Sequence, residues 1–509
     1  MTFTLAQIAA ALGLATQAHG SVTGWSIDTR TLKPGDLFFA LRGPVHDGNE
    51  YIERALAQGA IAVIAERAAD GPVLVVRDSL KALGQLAAWA RGQWPGDVIG
   101  VTGSAGKTST KDVIAALLSV ALRTGKTEGN FNNQFGLPIS ILRLPADAEV
   151  AVLEMGMNHA GEIRDLAAMA RPRVAVVTIV GSAHIEFFDS IEGIAEAKRE
   201  LVEALPPDGV AVLNADDPRV AAFAGAHPGR NVGQGGLGGR RRQGACPTNA
   251  GRTASYGLSE NADLRVEDAE SPTADARLGR NIVRGANPGG TVTYGLSENA
   301  DFRAEDVEFL REGTRFRVGG IPFETRLQGR HAVRNILAGI ATAGLYGIAP
   351  EQLREAVANL EPGKMRGERT QHLGIELLND CYNSSPDAAK SMLDVLRDTP
   401  CVRRIAVLGE MLELGQWSVT LHREVGRYAA ESGIDVLVAI RGAAKYMASA
   451  ALRAGLPAGA AYFFEDPAQA GAGLKGLARA GDAILFKGSR GTHVERALQA
   501  FLAEAEVNA

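Results

Sequence analysis

The chain has 509 residues, a length that suggests about three domains. With 46% hydrophobic and 22% charged residues, it has the composition of an ordinary globular protein with well-formed cores. A net charge of −5 with no large basic block argues against nucleic acid as a partner; three widely spaced cysteines, Cys246, Cys381 and Cys401, argue against a disulfide framework or zinc site and fit a reducing cytoplasm.

The chain begins MTFTLAQIAAALGL, with no Lys or Arg to make a secretory leader. Thr4 and Gln7 form a capping box, and Leu5, Ile8, Ala9 and Leu12 share one helix face. No apolar run is long enough to span a bilayer, so membrane insertion is not expected. Residues 1–84 read as a small α/β domain. Within it, Asp28, Thr29 and Arg30 share one turn and His46, Asp47 and Gly48 another, with the strand-like DLFFAL between them. On chemistry alone these are turn residues, since Asp, Thr and Gly favour turns anyway.

The most informative stretch is Gly100–Thr110, GVTGSAGKTST. An apolar, β-branched run precedes it and the helix-patterned KDVIAALLSVALR follows. Strand, Gly-rich turn and helix in that order make a phosphate-binding loop, in which backbone N–H groups and the helix N-terminus face an anion. Gly103, Ser104, Ala105, Gly106, Lys107, Thr108 and Ser109 are the expected nucleotide-binding residues. Lys107 would reach the β/γ-phosphates and the Thr108 hydroxyl would ligate Mg²⁺. The strict pattern places a glycine where this chain has Val101.

Strands and helices then alternate. VAVLEMGMNHAGEI ends a strand at Glu154, VAVVTIVGSAHIEFF leads into a loop with His184, SIEGIAEAKRELVEAL is a helix carrying Lys198, and GVAVLNADD ends near Asn214. Continuous apolar strands alternating with helices imply a parallel sheet covered on both faces, with ligands beyond the C-terminal strand ends. Residues 231–290 break this pattern, being rich in Gly, Arg and polar residues. They also hold the first copy of a repeat: YGLSENADLRVED from Tyr256 recurs as YGLSENADFRAED from Tyr294. The stretch 231–290 is therefore expected to be an insertion, loop-like or disordered, with an added β-hairpin as the alternative. The periodic helix GRHAVRNILAGIATAGLYGI follows, and from residue 362 the strands IELLNDCYN, RRIAVLGEM, DVLVAI and DAILFKGS alternate with helices in a second doubly wound unit.

In order along the chain, TGSAGKTST, EGNFNNQFGLPISIL, EMGMNHAGEI, AEAKRE and GRHAVRN resemble the motifs of the Mur ligase family, the ATP-dependent amide-forming enzymes of peptidoglycan synthesis. In the last domain NDCYNSSPDAAKSM, LGEMLELG followed by His422, and KGSRGTHVE resemble the branch that adds D-alanyl-D-alanine, with Asn379 and Cys381 as mild departures. The DNPR string expected of the branch that adds the third amino acid is absent.

The resemblance implies an α/β chain of three domains. These are a small α/β N-terminal domain (1–84) holding the UDP of the substrate, a central P-loop parallel-sheet ATPase domain (85–361, with the atypical insertion) and a C-terminal doubly wound, Rossmann-like domain (362–509) bringing the dipeptide. It implies ATP and Mg²⁺ as cofactors, UDP-N-acetylmuramoyl-tripeptide and D-alanyl-D-alanine as substrates, and a cytoplasmic protein, expected as a monomer. By the same resemblance Lys107, Glu154, His184 and Lys198 are catalytic, and Thr108, Glu154, His184 and a carbamylated Lys198 hold metal. Asn335, Arg366 and Asp380 join the nucleotide site, with Arg369 as a rival to Arg366. Asp28, Thr29, Arg30, Asn130, Asn132, Asn133, Tyr382 and Asn383 bind substrate. The residues alone leave other readings open: a capping role for His184, a solvated helix lysine for Lys198 and Asx-turns for the asparagines. A folylpolyglutamate synthase and a non-catalytic nucleotide-binding regulator are the alternative functions.

Overall fold

The structure is a computed structural model, and it describes residues 1–43, 46–229 and 290–503. Apart from Gly290, the expected insertion 231–290 lies outside the described residues, and so does the first copy of the repeat. Three α/β units follow one another along the chain, each built on its own parallel sheet.

The N-terminal unit carries four short strands, Gly24–Ser26, Asp36–Phe39, Ala62–Ala65 and Val73–Val75, paired in parallel in that order. The expected capping box is formed: Thr4 Oγ1 accepts from Gln7 N, and Gln7 Oε1 accepts from Thr4 N. The helix Ser79–Gln93 runs across residue 84 and packs both on the N-terminal sheet and on the helix Gly136–Leu142 of the next unit.

The central sheet has seven strands. Across it the order is Phe302–Arg303, Thr291–Gly295, Val210–Asn214, Val174–Val177, Asp97–Thr102, Val150–Glu154 and Thr124–Lys126, and every pairing is parallel. The apolar runs are what such a sheet needs, because helices cover both faces. Every residue of VAVLE and of VAVV is buried. The second copy of the repeat supplies one edge of this sheet. Tyr294 is buried with its hydroxyl donating to Val177 O at 3.1 Å, and the Asp216 carboxylate accepts from the backbone of Leu296 and Ser297. A three-stranded antiparallel sheet (305–325) and the helix Arg330–Leu345 complete the unit.

The C-terminal unit has six strands, all paired in parallel except the edge strand Glu368–His372. Among the described residues no helix is long and apolar enough to cross a membrane.

Candidate active site

The strands Asp97–Thr102, Val150–Glu154, Val174–Val177 and Val210–Asn214 all run the same way, so their C-terminal ends share one edge of the sheet. The C-terminal unit faces that edge across a cleft of about 660 Å³. Ser104 to Ser109, Asn130, Asn132, Asn133, Glu154, His184, Asn214, Asn335, Arg366, Asp380, Tyr382 and Asn383 line this cleft. Gly103 and Lys198 are not among the lining residues, and neither are Asp28, Thr29 and Arg30. Their turn sits in the N-terminal unit, where Asp28 Oδ1 accepts from Arg30 N at 2.9 Å and its carboxylate pairs with the Arg30 guanidinium. That hydrogen-bonded partner pulls the Asp28 carboxyl below its ordinary range.

The phosphate turn has two glycines whose geometry other residues would disturb. At Gly103 a Cβ would lie 1.9 Å from Thr178 Oγ1. Gly106 takes φ +80° immediately before the helix Lys107–Leu118. The turn is braced by the neighbouring strand, since Ser104 Oγ donates to Gly181 O at 3.0 Å and Thr178 Oγ1 donates to Ala105 O at 2.6 Å. Lys107 folds back so that its Nζ donates to Gly103 O at 2.8 Å. Desolvation pushes its ammonium below the ordinary lysine range, against the opposing pull of the Glu154 charge.

Glu154 is 1% exposed. Its Oε1 accepts from Asn132 Nδ2 at 2.7 Å, and its Oε2 is buried with no hydrogen-bond partner among the described residues. An orphaned, buried carboxylate oxygen is costly unless a cation completes it. The Thr108 hydroxyl lines the same cleft, and hard oxygens of these two kinds are what would suit Mg²⁺, an ion that takes few protein ligands and fills its shell with phosphate and water. Among the described residues no group of three or more His, Cys, Asp or Glu side chains is arranged to hold a metal without such help.

Lys198 is not a solvated helix lysine. It is 1% exposed, on the helix Ile191–Glu203, and among the described residues no hydrogen bond or ion pair holds its ammonium. Burial, with the like charge of Lys107 beside it, pushes its pKa well below the ordinary lysine value. His184 stands at φ +64°, a conformation that a non-glycine residue adopts only when its surroundings hold it. Its Nδ1 lies 2.6 Å from Glu413 Oε2 of the C-terminal unit, and that contact draws the Glu413 carboxyl below its ordinary range.

The three asparagines divide their work. Asn132 holds Glu154, Asn133 Oδ1 caps the helix Gly136–Leu142 by accepting from Phe135 N and Gly136 N, and Asn130 lines the cleft. Asn335 Oδ1 accepts from Thr110 Oγ1 at 3.0 Å, so the helix Arg330–Leu345 is pinned to the phosphate-loop helix. Arg366 lies 3.8 Å over the Tyr382 ring and its Nη2 donates to Thr108 Oγ1 at 3.2 Å. Its sequence rival Arg369 is engaged elsewhere, with Glu376 and the Thr399 hydroxyl. Asp380 pairs with the buried Lys487, which also donates to Asn383 O at 2.9 Å.

Sequence reasoning missed several residues here. Lys111, buried one turn beyond Lys107, donates to Thr127 O at 2.8 Å and so anchors the start of the asparagine loop. Lys487, Asp387 and Glu413 reach the cleft from the C-terminal unit. All four lie within or beside strings that the resemblance rests on, but the strings alone do not say which side chain turns inward.

Three family models match this chain: the Mur ligase family, catalytic domain, over residues 21–91; the Mur ligase middle domain over 101–239; and the Mur ligase, glutamate ligase domain over 365–490. A UDP-N-acetylmuramoyl-tripeptide–D-alanyl-D-alanine ligase of Bacillus subtilis is 33% identical over 94% of this chain and 92% of its own length. The protein of the same name from Synechocystis is 34% identical over 94% and 91%. Among solved structures, MurF from Acinetobacter baumannii superposes with a TM-score of 0.79 at 27% identity, covering 99% of each chain. MurF from Thermotoga maritima in complex with ADP gives 0.73 at 26%, covering 94% of this chain and 97% of its own. The Mycobacterium tuberculosis folylpolyglutamate synthase shares the fold alone, with a TM-score of 0.58 at 16% identity over 84% of this chain and 95% of its own. On the matched models and on relatives this similar over nearly the whole chain, the chain belongs to the Mur ligase family.

Proposed function

We propose that this chain joins D-alanyl-D-alanine to UDP-N-acetylmuramoyl-tripeptide at the expense of ATP, in the cytoplasmic synthesis of peptidoglycan precursors. The observation that carries the reading is the convergence of Lys107, Glu154 and His184 on one cleft, with Lys198 buried within reach of the Lys107 charge and a second α/β unit facing them. The relatives' names supply the substrates, and the ADP of the Thermotoga structure supports the nucleotide.

A carboxylate is a poor acyl donor at neutral pH, which is the problem that ATP solves. In the proposed reaction a tripeptide carboxylate oxygen attacks the γ-phosphorus and ADP leaves, giving an acyl phosphate. The amine of D-alanyl-D-alanine then attacks the acyl carbon, loses a proton, and inorganic phosphate leaves. Phosphoryl transfer asks the protein mainly for positioning and charge stabilisation. The backbone of the Gly103–Lys107 turn would hold the phosphates and Lys107 would neutralise charge developing between the β and γ groups. Thr108 and Glu154 would hold Mg²⁺, which supplies further neutralisation of those oxygens when bound. The depressed pKa of Lys198 leaves more of its amine uncharged than an ordinary lysine's, and thus able to take up CO₂ as a carbamate. Arg366 would reach the phosphates from the C-terminal side and Asn335 would face the adenine. In this reading residues 1–84 bind UDP, 85–361 bind ATP, and 362–509 bring the dipeptide, all within one monomer.

Phosphate release by the purified chain tests the proposal. It should require ATP, UDP-N-acetylmuramoyl-tripeptide and D-alanyl-D-alanine together. Release with a folate and glutamate instead would replace this reading with that of a folylpolyglutamate synthase, and no release with either pair would leave a nucleotide-binding regulator.

A further inference from the structure

The loop that carries His184 is gripped from two sides. On the central side Val180 N donates to Asp217 Oδ2 at 2.7 Å, and Gly181 N donates to Ser104 Oγ of the phosphate turn at 2.9 Å. On the other side two contacts come from carboxylates of the C-terminal unit. Asp387 Oδ2 accepts from Ser182 N at 3.0 Å, and Glu413 Oε2 lies 2.6 Å from His184 Nδ1. The Glu413 carbonyl also accepts from Glu186 N at 3.3 Å.

Each carboxylate is itself held in place. Asp387 lies in the first turn of the helix Pro386–Asp398, which is capped by Ser385 and begins with proline. Glu413 stands at φ +63°, in a loop braced from behind. His422 is wholly buried under that loop, its Nε2 accepting from Met411 N at 3.0 Å and its Nδ1 donating to Ser418 O at 2.7 Å. Leu412 N donates to Ser489 Oγ at 2.9 Å. This much fixation behind one glutamate is more than a rim ion pair needs.

His184 Nδ1 and Glu413 Oε2 lie 2.6 Å apart although Nδ1 makes no well-directed hydrogen bond, and a proton on Nδ1 is the state in which this contact is attractive. Nε2 likewise makes no hydrogen bond to the described residues, and His184 lines the cleft. A carboxylate on the far nitrogen of a working histidine fixes both its tautomer and its ring orientation.

We propose that Glu413 and Asp387 are positioning residues of the ligase reaction: docking of the C-terminal unit through these two carboxylates sets the ring of His184. The proposal rests on the reading of the site given above. It assigns His184 its geometry from outside its own unit, so the site is complete only when the C-terminal unit is seated.

The test uses the full chain and the variants Glu413→Ala, Glu413→Gln, Asp387→Ala and His184→Ala, each checked by thermal melting. Glu413→Ala is expected to lower kcat by about 10–100-fold, as loss of an orienting partner does, with KM for ATP within about twofold. Glu413→Gln keeps an oxygen that accepts from Nδ1–H and should recover part of the loss. Asp387→Ala should lower kcat in the same direction. In the His184→Ala background Glu413→Ala should change kcat by less than about twofold, because the two residues act as one unit. Nitrogen NMR of the ligand-free chain should show His184 protonated at Nδ1 in the wild type and shifted toward Nε2–H in Glu413→Ala. Equal fractional losses in the two backgrounds, unchanged kcat in Glu413→Ala, or a His184 ring unprotonated at Nδ1 would each overturn the proposal. Should Glu413→Ala fail to fold, Glu413→Gln and Asp387→Ala carry the same comparisons. The NMR readout needs no turnover, so it separates failure of this proposal from failure of the ligase reading.

Discussion

Gly103 offers the sharpest test of the phosphate turn. Replacing it with alanine puts a methyl carbon 1.9 Å from Thr178 Oγ1 and about as close as 3.2 Å to Ile179 N. A carbon–oxygen contact normally stays beyond roughly 3.3 Å, so one side must move by more than an ångström. The Thr178 hydroxyl is not free to yield, because it donates to Ala105 O at 2.6 Å and lies 3.3 Å from Thr102 O. Displacing it breaks a hydrogen bond worth about 1 kcal/mol and leaves buried polar atoms unmet at about 1–3 kcal/mol. The backbone at φ +150° adds strain for a residue with a side chain. A distortion of about 3 kcal/mol confined to the turn corresponds to roughly a hundredfold weaker nucleotide binding. Calorimetric titration with ADP and the KM for ATP measure this directly. Thr178→Ala removes the atom in the way, so Gly103→Ala/Thr178→Ala should bind nucleotide better than Gly103→Ala alone. Binding by Gly103→Ala within about threefold of wild type (~0.7 kcal/mol), or no gain in the double variant, would refute the account of the turn.

Three further outcomes are expected. Lys107→Ala should abolish turnover, because no other lysine lies in the turn proposed to bind phosphate; near-normal phosphate release would remove the P-loop assignment. Lys198→Met should raise the melting temperature by about 2–4 °C for each kcal/mol of burial cost relieved. The sign follows from the direction of the shift: Lys198 is held below its ordinary 10.5, so the unfolded chain binds the extra proton and burial costs stability at neutral pH. The gain should therefore be full below the depressed value and shrink as pH rises toward 10.5, and melting curves showing the opposite trend would contradict the buried-amine description. Deleting residues 231–289 and bridging the ends with a short linker should leave phosphate release within about threefold. His227, near one end, has its ring 3.0 Å from Gly209 O, and Gly290 O at the other accepts from Ala211 N, so both ends are tied to the start of one strand. Loss of folding in that deletion, seen by circular dichroism, would show that the segment is structural.

The interior of each sheet was legible because a strand buried on both faces must be apolar along its whole length, as VAVLE and VAVV are. The edges were not. The strand Glu368–His372 reads ERTQH and among the described residues pairs only with Ile375–Asp380, and Thr124–Lys126 has a glycine at its centre. Such segments carry too little pattern to be told from loop. In the site, Lys107 and Glu154 were legible because a strand end followed by a turn fixes where a side chain can go. Asn132 and Asn133 are adjacent and chemically identical, yet one holds a buried carboxylate and the other caps a helix. Only the path of the backbone decides which. Glu413 and Asp387 depend on how two separately folded units meet, and no local spacing encodes that.

The loop between Thr178 and Phe188 touches the phosphate turn through Ser104 and the C-terminal unit through Asp387 and Glu413. A segment shared in this way makes two binding events thermodynamically answerable to each other. If a ligand on the C-terminal side strengthens nucleotide binding through this loop by some factor, nucleotide must strengthen that ligand's binding by the same factor. An apparent order of substrate addition would then be a property of eleven residues of backbone rather than of either pocket.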